Sequence, residues 1–142
     1  MVRLGSTRHE DRERAVRYLA VGRALHATAR DLDAMGEAKY GNGLTIVAIH
    51  AAIAYTDALT VAFREVKSTD GEHLKAAGVL IQALGPRVEA EQVRRLKRIL
   101  GAKSHASYSG SYYTLEDGRA ILREVERFAE WAEERMASRP AG

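Results

Sequence analysis

The feature that most constrains the fold is a long apolar segment near the middle of the chain, residues 44–63. A helix that is apolar on almost every side has to be covered by other helices, so it is the expected centre of the molecule. Polar side chains interrupt this segment at His50, Tyr55, Thr56, Asp57 and Thr60. These interruptions make it a poor bilayer span and a good buried helix, predicted to run over about 44–67.

Capping signals predict further helices on both sides of this segment. Thr7 and Glu10 have capping-box spacing, which predicts a first helix from there to about residues 34–39. The sequence YGNG at 40–43 is a turn signal. Thr69 and Glu72 repeat the capping-box spacing and predict a third helix ending at Leu84.

The remaining signals complete an all-α architecture. Gly85-Pro86 is expected to stop the third helix and start a fourth, which runs to about Ser107. Thr114 with Asp117 predicts the cap of a fifth helix. No window alternates apolar and polar residues as a strand does, so the prediction is an up-and-down bundle of five helices. We expect one domain over 1–142, with flexible ends at 1–6 and 138–142.

Composition excludes several kinds of site. The 142 residues contain no cysteine, which rules out disulfides, thiolate metal sites and cysteine nucleophiles. The five histidines are far apart, no pair has helical spacing and no Glu-x-x-His occurs, so we predict neither a metal nor a cofactor. The first residues lack the apolar run of a secretory signal, so a cytoplasmic location without membrane contact is expected.

Positive charge is concentrated in the predicted fourth helix, although the net charge is only +3. Residues 87–103 carry six cations against two acids, Glu89 and Glu91. The cations are Arg87, Arg94, Arg95, Lys97, Arg98 and Lys103. Such a run is either a solvated helix face or a surface that attracts phosphate.

One edge of this helix is predicted to face the core. At about 100° per residue, Val93, Leu96, Ile99 and Leu100 form an apolar stripe with Lys103 in its middle. A buried lysine needs a carboxylate, so we predict a pair or hydrogen-bond network between Lys103 and Asp57. His50 lies on the same helical face as Asp57 and completes the predicted buried polar network. This pair is either an acid–base pair or a satisfied core contact.

The opposite edge carries Arg94, Arg98, Gly101 and His105 at steps of 4, 3 and 4. Either water or another subunit covers it. If two copies crossed antiparallel on this face, Arg98 would approach the partner's His105 at the two-fold axis. The sequence therefore predicts a homodimer through or near the fourth helix.

The order of three segments resembles the HEPN superfamily of helical domains associated with nucleotides and RNA. They are AIHAAIAYTDALTVAF, TDGEHLKAAGVL and LKRILGAKSHASYSGSYYTLEDGRAILREVERFAEWAEE, which together span most of the chain after residue 47. The resemblance implies a dimeric helical bundle. In catalytic members, an Arg and a His form a metal-independent endoribonuclease site across the dimer. Arg98 and His105, with six residues between them, fit the loosest form of that motif.

The stricter form of the motif is absent. It places a Tyr two residues after the His; if Tyr108 is that residue, Gly101 and Ala106 occupy the Arg and His positions. The chain is more similar to HEPN relatives that have a Lys…Tyr segment and lack the catalytic pair. The expected function is thus a dimeric nucleotide- or RNA-associated or interaction module, as in toxin–antitoxin or defence systems, where a nucleotidyltransferase antitoxin is a common partner. The alternatives are an endoribonuclease toxin using Arg98 and His105, and a purely structural bundle.

The tyrosines near the end of the fourth helix complete the candidate binding residues. Tyr108 stacks on a base in one interpretation, with Arg94 and Arg98 holding phosphate. In the other, its ring packs the last helix against the fourth. For Tyr112 and Tyr113, packing at the rim is the favoured interpretation.

Overall fold

A computed structural model describes residues 7–69, 74–107 and 109–141. These residues form five α-helices: α1 (Ala15–Met35), α2 (Gly41–Arg64), α3 (Leu74–Leu84), α4 (Ala90–Ser107) and α5 (Leu115–Ala137). The predicted all-α, up-and-down bundle of five helices is confirmed.

The central helix is α2, which packs against each of the other four. Most of its apolar side chains are buried, Leu44, Ile49 and Leu59 completely, and they meet Phe128 of α5 in one continuous core. By length and composition alone, Ala38–Arg64 is apolar enough to cross a membrane. Because 78% of its most apolar window is buried inside the bundle, that composition is explained by packing against the other helices.

The beginning of the chain differs from its prediction. Thr7–His9 is a short strand, β1, that pairs antiparallel with β2 (Val66–Ser68), and α1 begins only at Ala15. Glu10 does not cap a helix, because its carboxylate is buried among Arg8, Arg14 and Tyr18. Contacts distant in sequence thus override a local capping signal.

Three other helix boundaries also shift. α2 begins at Gly41 and ends at Arg64, where Glu65 adopts a left-handed conformation (φ 55°) and leads into β2. Pro86 lies in a single 3₁₀ turn, Gly85–Arg87, and α4 begins at Ala90 after the extended Val88. The predicted cap of α3 falls partly outside the described residues, because Glu72 is not among them.

The start of α5 agrees with its prediction. The hydroxyl of Thr114 accepts from the backbone N–H of Asp117 at 3.0 Å, and the Asp117 carboxylate accepts from the backbone N–H of Thr114 at 3.0 Å. This capping box also faces the start of α2. A Cβ on Gly41 would lie 1.9 Å from the carbonyl oxygen of Tyr113 and 2.6 Å from that of Thr114. Only glycine therefore lets α2 approach this backbone so closely.

We expect Gly41→Ala to lower the free energy of unfolding by about 3 kcal/mol, because the new methyl group overlaps a fixed backbone. Gly43→Ala, two residues along the same helix, is the matched control. No atom lies within 4 Å of a Cβ at Gly43, so alanine should raise stability by about 0.5–1 kcal/mol there. Urea unfolding of both variants measures the difference; equal effects would contradict the close approach.

Candidate functional site

The inner edge of α4 is as predicted. Val93, Leu96, Ile99 and Leu100 are buried, and Lys103 is only 9% exposed in the same stripe. Burial lowers the pKa of the Lys103 ammonium group, because the charged form loses solvation. The apolar side of the helix therefore turns inward and sets the direction of its other side chains.

The outer edge of α4 carries cations that the rest of the described chain does not cover. Arg94, Lys97 and Arg98 are exposed on this edge, and a Cβ on Gly101 would meet no atom within 4 Å. Arg94 and Lys97 make no ion pair within residues 7–69, 74–107 and 109–141. These side chains are available to an external anion, and we call Arg94, Lys97, Arg98 and Gly101 the cationic face.

Arg95 has a different role from its neighbours, which sequence reasoning missed. It is 5% exposed, and its Nε donates to Oε2 of Glu124 on α5 at 2.9 Å. Its two Nη atoms donate to Gln92 at 2.9 Å and to Glu91 at 3.2 Å. The contacts of Arg95 with Gln92 and Glu91 could have been predicted from the sequence, because residues three and four apart are neighbours on a helix. The contact with α5 could not.

Glu124 links the buried arginine to the cationic face. Its Oε2 also accepts from Nη2 of Arg98 at 3.3 Å, and Arg98 remains 55% exposed. Burial alone would raise the pKa of Glu124, but the hydrogen bonds from Arg95 and Arg98 outweigh it and hold that pKa below its usual value. Part of the Arg98 charge is therefore neutralised within the chain.

Two predicted site residues are not described at the level of their side chains. The backbone of His105 lies in the last turns of α4, but its imidazole is outside the described part, and Tyr108 is outside it entirely. The pairing of Arg98 with His105 and the stacking role of Tyr108 remain predictions.

The loop that follows α4 is held by an asparagine that sequence reasoning missed. Nδ2 of Asn42 donates to the carbonyl oxygens of Ala106 and Ser111 at 3.2 and 3.0 Å, and its Oδ1 accepts from the backbone N–H of Tyr113 at 2.8 Å. Tyr112 is exposed, and its hydroxyl donates to the carbonyl oxygen of Ala38 at 3.3 Å. The side chain of Asn42 on α2 thus holds the backbone at Ser111 and Tyr113 next to the C-terminal end of α4.

The predicted buried polar network of His50, Asp57 and Lys103 does not form as one cluster. His50 lies near the charge of Lys103, whereas Asp57 lies beside the small sheet. His50 lies on the outside of α2, where partial desolvation and then the nearby charge of Lys103 lower its pKa. Asp57 has a different partner from the predicted Lys103, because its Oδ2 lies 3.6 Å from Nζ of Lys67 on β2. Sequence reasoning could not find Lys67, since residues 66 and 67 were predicted to continue the helix and not to form a strand.

Burial raises the pKa of Asp57 to about 6, and the charge of Lys67 only partly opposes this shift. Arg8 also favours the ionised carboxylate, whereas Glu10 disfavours it. Nζ of Lys67 lies 5.7 Å from the centre of the Tyr18 ring as well. Asp57 therefore connects α2 to the small sheet at a cost in desolvation.

A separate polar cleft of ≈ 440 Å³ lies between α1 and α5, with Tyr55 of α2 at its floor. Arg23 donates from Nε and Nη2 to the two carboxylate oxygens of Glu133 at 2.7 and 2.6 Å. Nε2 of His26 lies 3.4 Å from Glu126. Burial raises the pKa of Tyr55 to about 12, and its hydroxyl lies 3.5 Å from Glu133. The cleft was not predicted, because its residues come from three helices; its ion pairs tie α1 to α5.

A scan of the chain against protein-family models finds no match, and a search among curated proteins finds no significant similarity. The resemblance to HEPN domains therefore rests on the order of the sequence segments.

We expect Glu124→Ala to lower the free energy of unfolding by about 2 kcal/mol, because it leaves the buried Arg95 without its acidic partner on α5. Arg98→Ala removes the other, exposed partner of Glu124 and should cost less than about 1 kcal/mol. Urea unfolding of the two variants separates these roles. A larger loss in Arg98→Ala would show that Arg95 does not depend on Glu124.

Asp57→Asn should become more stable relative to wild type as pH rises from 4 to 7. The folded-state pKa of Asp57, about 6, lies above its usual value of 3.8, so the stability that Asp57 contributes is present below pH 4 and is lost as pH rises through 6. The shift corresponds to a change on the order of 3 kcal/mol. Unfolding curves at pH 4, 5, 6 and 7 measure it, and Asp31→Asn controls for the loss of an exposed carboxylate. A difference independent of pH would contradict the burial of this charge.

Proposed function

We propose that this protein is a HEPN-type helical module that binds RNA or nucleotide phosphates through the cationic face of α4. The observation that carries the proposal is the combination of exposed cations with open space at Gly101 on one edge of one helix. Exposed Arg and Lys side chains bind phosphate groups, and among the described residues two of the three cations on this face, Arg94 and Lys97, make no ion pair.

The contacts that fix α4 in the bundle, and the open space at Gly101, favour ligand binding over a face that is only solvated. Arg95 anchors α4 to α5 from the buried side, so the exposed cations project from a fixed helix. Gly101 carries no side chain, which lets a ligand backbone approach the helix between Arg98 and the last turns of α4. Such rigid placement reduces the entropy lost on binding.

The dimer expected from the resemblance also suits a phosphate ligand. Two cationic faces crossing at a two-fold axis repel each other unless an anion lies between them. RNA or a nucleotide supplies that anion, so binding and dimerisation are expected to strengthen each other.

An endoribonuclease remains the second candidate, favoured by the exposed position of Arg98 on the helix that contains His105. The contact between Arg98 and Glu124 weighs against it, because a guanidinium that stabilises a phosphorane needs its charge for the transition state. Binding without cleavage is therefore the preferred function.

We expect Gly101→Glu to weaken binding of single-stranded RNA at least about 10-fold at low salt, because it places an anion between phosphate-binding cations. A Cβ at this position meets no atom within 4 Å, and glutamate favours helix more than glycine does, so the fold should be retained. Fluorescence anisotropy against salt concentration measures this, and for wild type the slope of log K against log salt should be about −2 for three phosphate contacts.

Ala20→Glu is the matched control, since it adds the same charge at an exposed position of α1, which does not pack against α4. It should bind RNA nearly as wild type does. Equal weakening by both variants, or no salt dependence in wild type, would contradict binding at the cationic face. Cleavage of RNA in EDTA that disappears in His105→Ala would establish the ribonuclease instead.

A further inference from the structure

We propose that His9, Asp11 and Glu65 form a binding site for a divalent transition-metal ion, Zn²⁺ in particular. This site lies at the small sheet, away from the cationic face of α4. Among the described residues, these three side chains have one ligand atom each within 4.8 Å of the other two. Histidine spacing along the sequence did not predict it, because Asp11 lies two residues from His9 but Glu65 reaches them only through the pairing of β1 with β2.

The ligand atoms are already close to a coordinating arrangement. Nε2 of His9 lies 3.0 Å from Oδ1 of Asp11. Bonds of about 2.1 Å to a metal place neighbouring ligand atoms about 3.0–3.4 Å apart in octahedral or tetrahedral geometry. The first pair therefore needs no large movement, and Glu65 needs a shift of about 2 Å at most, within reach of its side-chain rotations.

The backbone holds the two sides of the site together before any ion binds. His9 of β1 pairs with Val66 of β2, and the backbone N–H of Glu10 donates to the carbonyl oxygen of Glu65 at 3.0 Å. Residues separated by more than fifty positions in sequence are thus neighbours in the folded chain. Because folding has already brought the ligands together, little additional ordering opposes metal binding.

The chemistry of the ligands favours Zn²⁺ over Mg²⁺ or Ca²⁺. One imidazole nitrogen and two carboxylate oxygens form a set that Zn²⁺ accepts, whereas Mg²⁺ and Ca²⁺ prefer oxygen alone. Asp11, Arg12, Glu13 and Glu65 line a groove of ≈ 460 Å³ beside the ligands. The groove leaves room for water or another small ligand to complete the coordination.

Existing contacts leave the ligand atoms accessible. His9 and Asp11 are 69% and 64% exposed at their side chains, and each has the other as its side-chain partner among the described residues. Arg12 competes weakly for Glu65, because its Nη1 and its backbone N–H lie 3.5 and 3.4 Å from the carboxylate oxygens. Its Nε is held elsewhere, by the carbonyl oxygen of Ala62 at 2.7 Å.

A bound ion would join β1 to the end of α2 and so stabilise the folded chain. Zn²⁺ at 100 times its Kd is expected to raise the Tm by about 5–10 °C, whereas Mg²⁺ at the same concentration should leave it nearly unchanged. Removal of the ion by a chelator should reverse the shift.

The test uses untagged, chelator-treated protein at pH 7.5, titrated with ZnCl₂ in a calorimeter and followed by thermal unfolding. Wild type should bind one ion per chain, and His9→Ala and Glu65→Gln should each weaken binding at least about 10-fold. His50→Ala is the matched control, since it removes another exposed histidine and should keep wild-type affinity.

Three results would overturn the site. They are no saturable binding up to millimolar Zn²⁺, equal affinity in wild type and His9→Ala, and an equal loss in His50→Ala. His9 is exposed, so His9→Ala is expected to fold, and far-ultraviolet circular dichroism of each variant confirms that before the titration.

Discussion

Covering the apolar surface of α2 is the constraint on which the rest of this structure depends. Its apolar surface is too large to leave in water, so four helices pack against it, and its own polar side chains must find partners among them. Glycines allow the closest approaches: Gly41 meets the cap of α5, and Gly22 of α1 lies against the ring of Tyr55. The bundle is therefore organised around α2, whose apolar surface requires the other four helices.

Pairing of charges within the bundle decides which cations remain at the surface. Along α4, Arg95 is directed to Glu124 and is neutralised there, whereas Arg94 and Lys97 are directed outward. Arg98 lies between these cases, because it is exposed and also shares Glu124. The capacity of α4 to bind an anion thus depends on which cationic side chains point outward and which pair with Glu124 of α5, more than on the number of positive charges in the segment.

The small sheet of β1 and β2 determines several charge contacts at this end of the bundle. Pairing of β1 with β2 buries Glu10, supplies Lys67 to Asp57, and brings His9 and Asp11 beside Glu65. Two short strands, each marginal alone, are stabilised here by packing against the bundle. The same pairing therefore determines the charge partners of α2 and the proposed metal site.

The sequence by itself determined the helical class, the central position of α2, the cap at Thr114, and the inward stripe of α4 with Lys103. These features depend on apolar periodicity and on side chains within four residues of each other, which any reader of the chain can see. Only the tertiary structure decided that Thr7–His9 is a strand, that Asp57 pairs with Lys67 and that Arg95 is buried against α5. Each of these depends on partners ten or more residues away, and leaving a buried charged group without its partner costs more than losing a local cap.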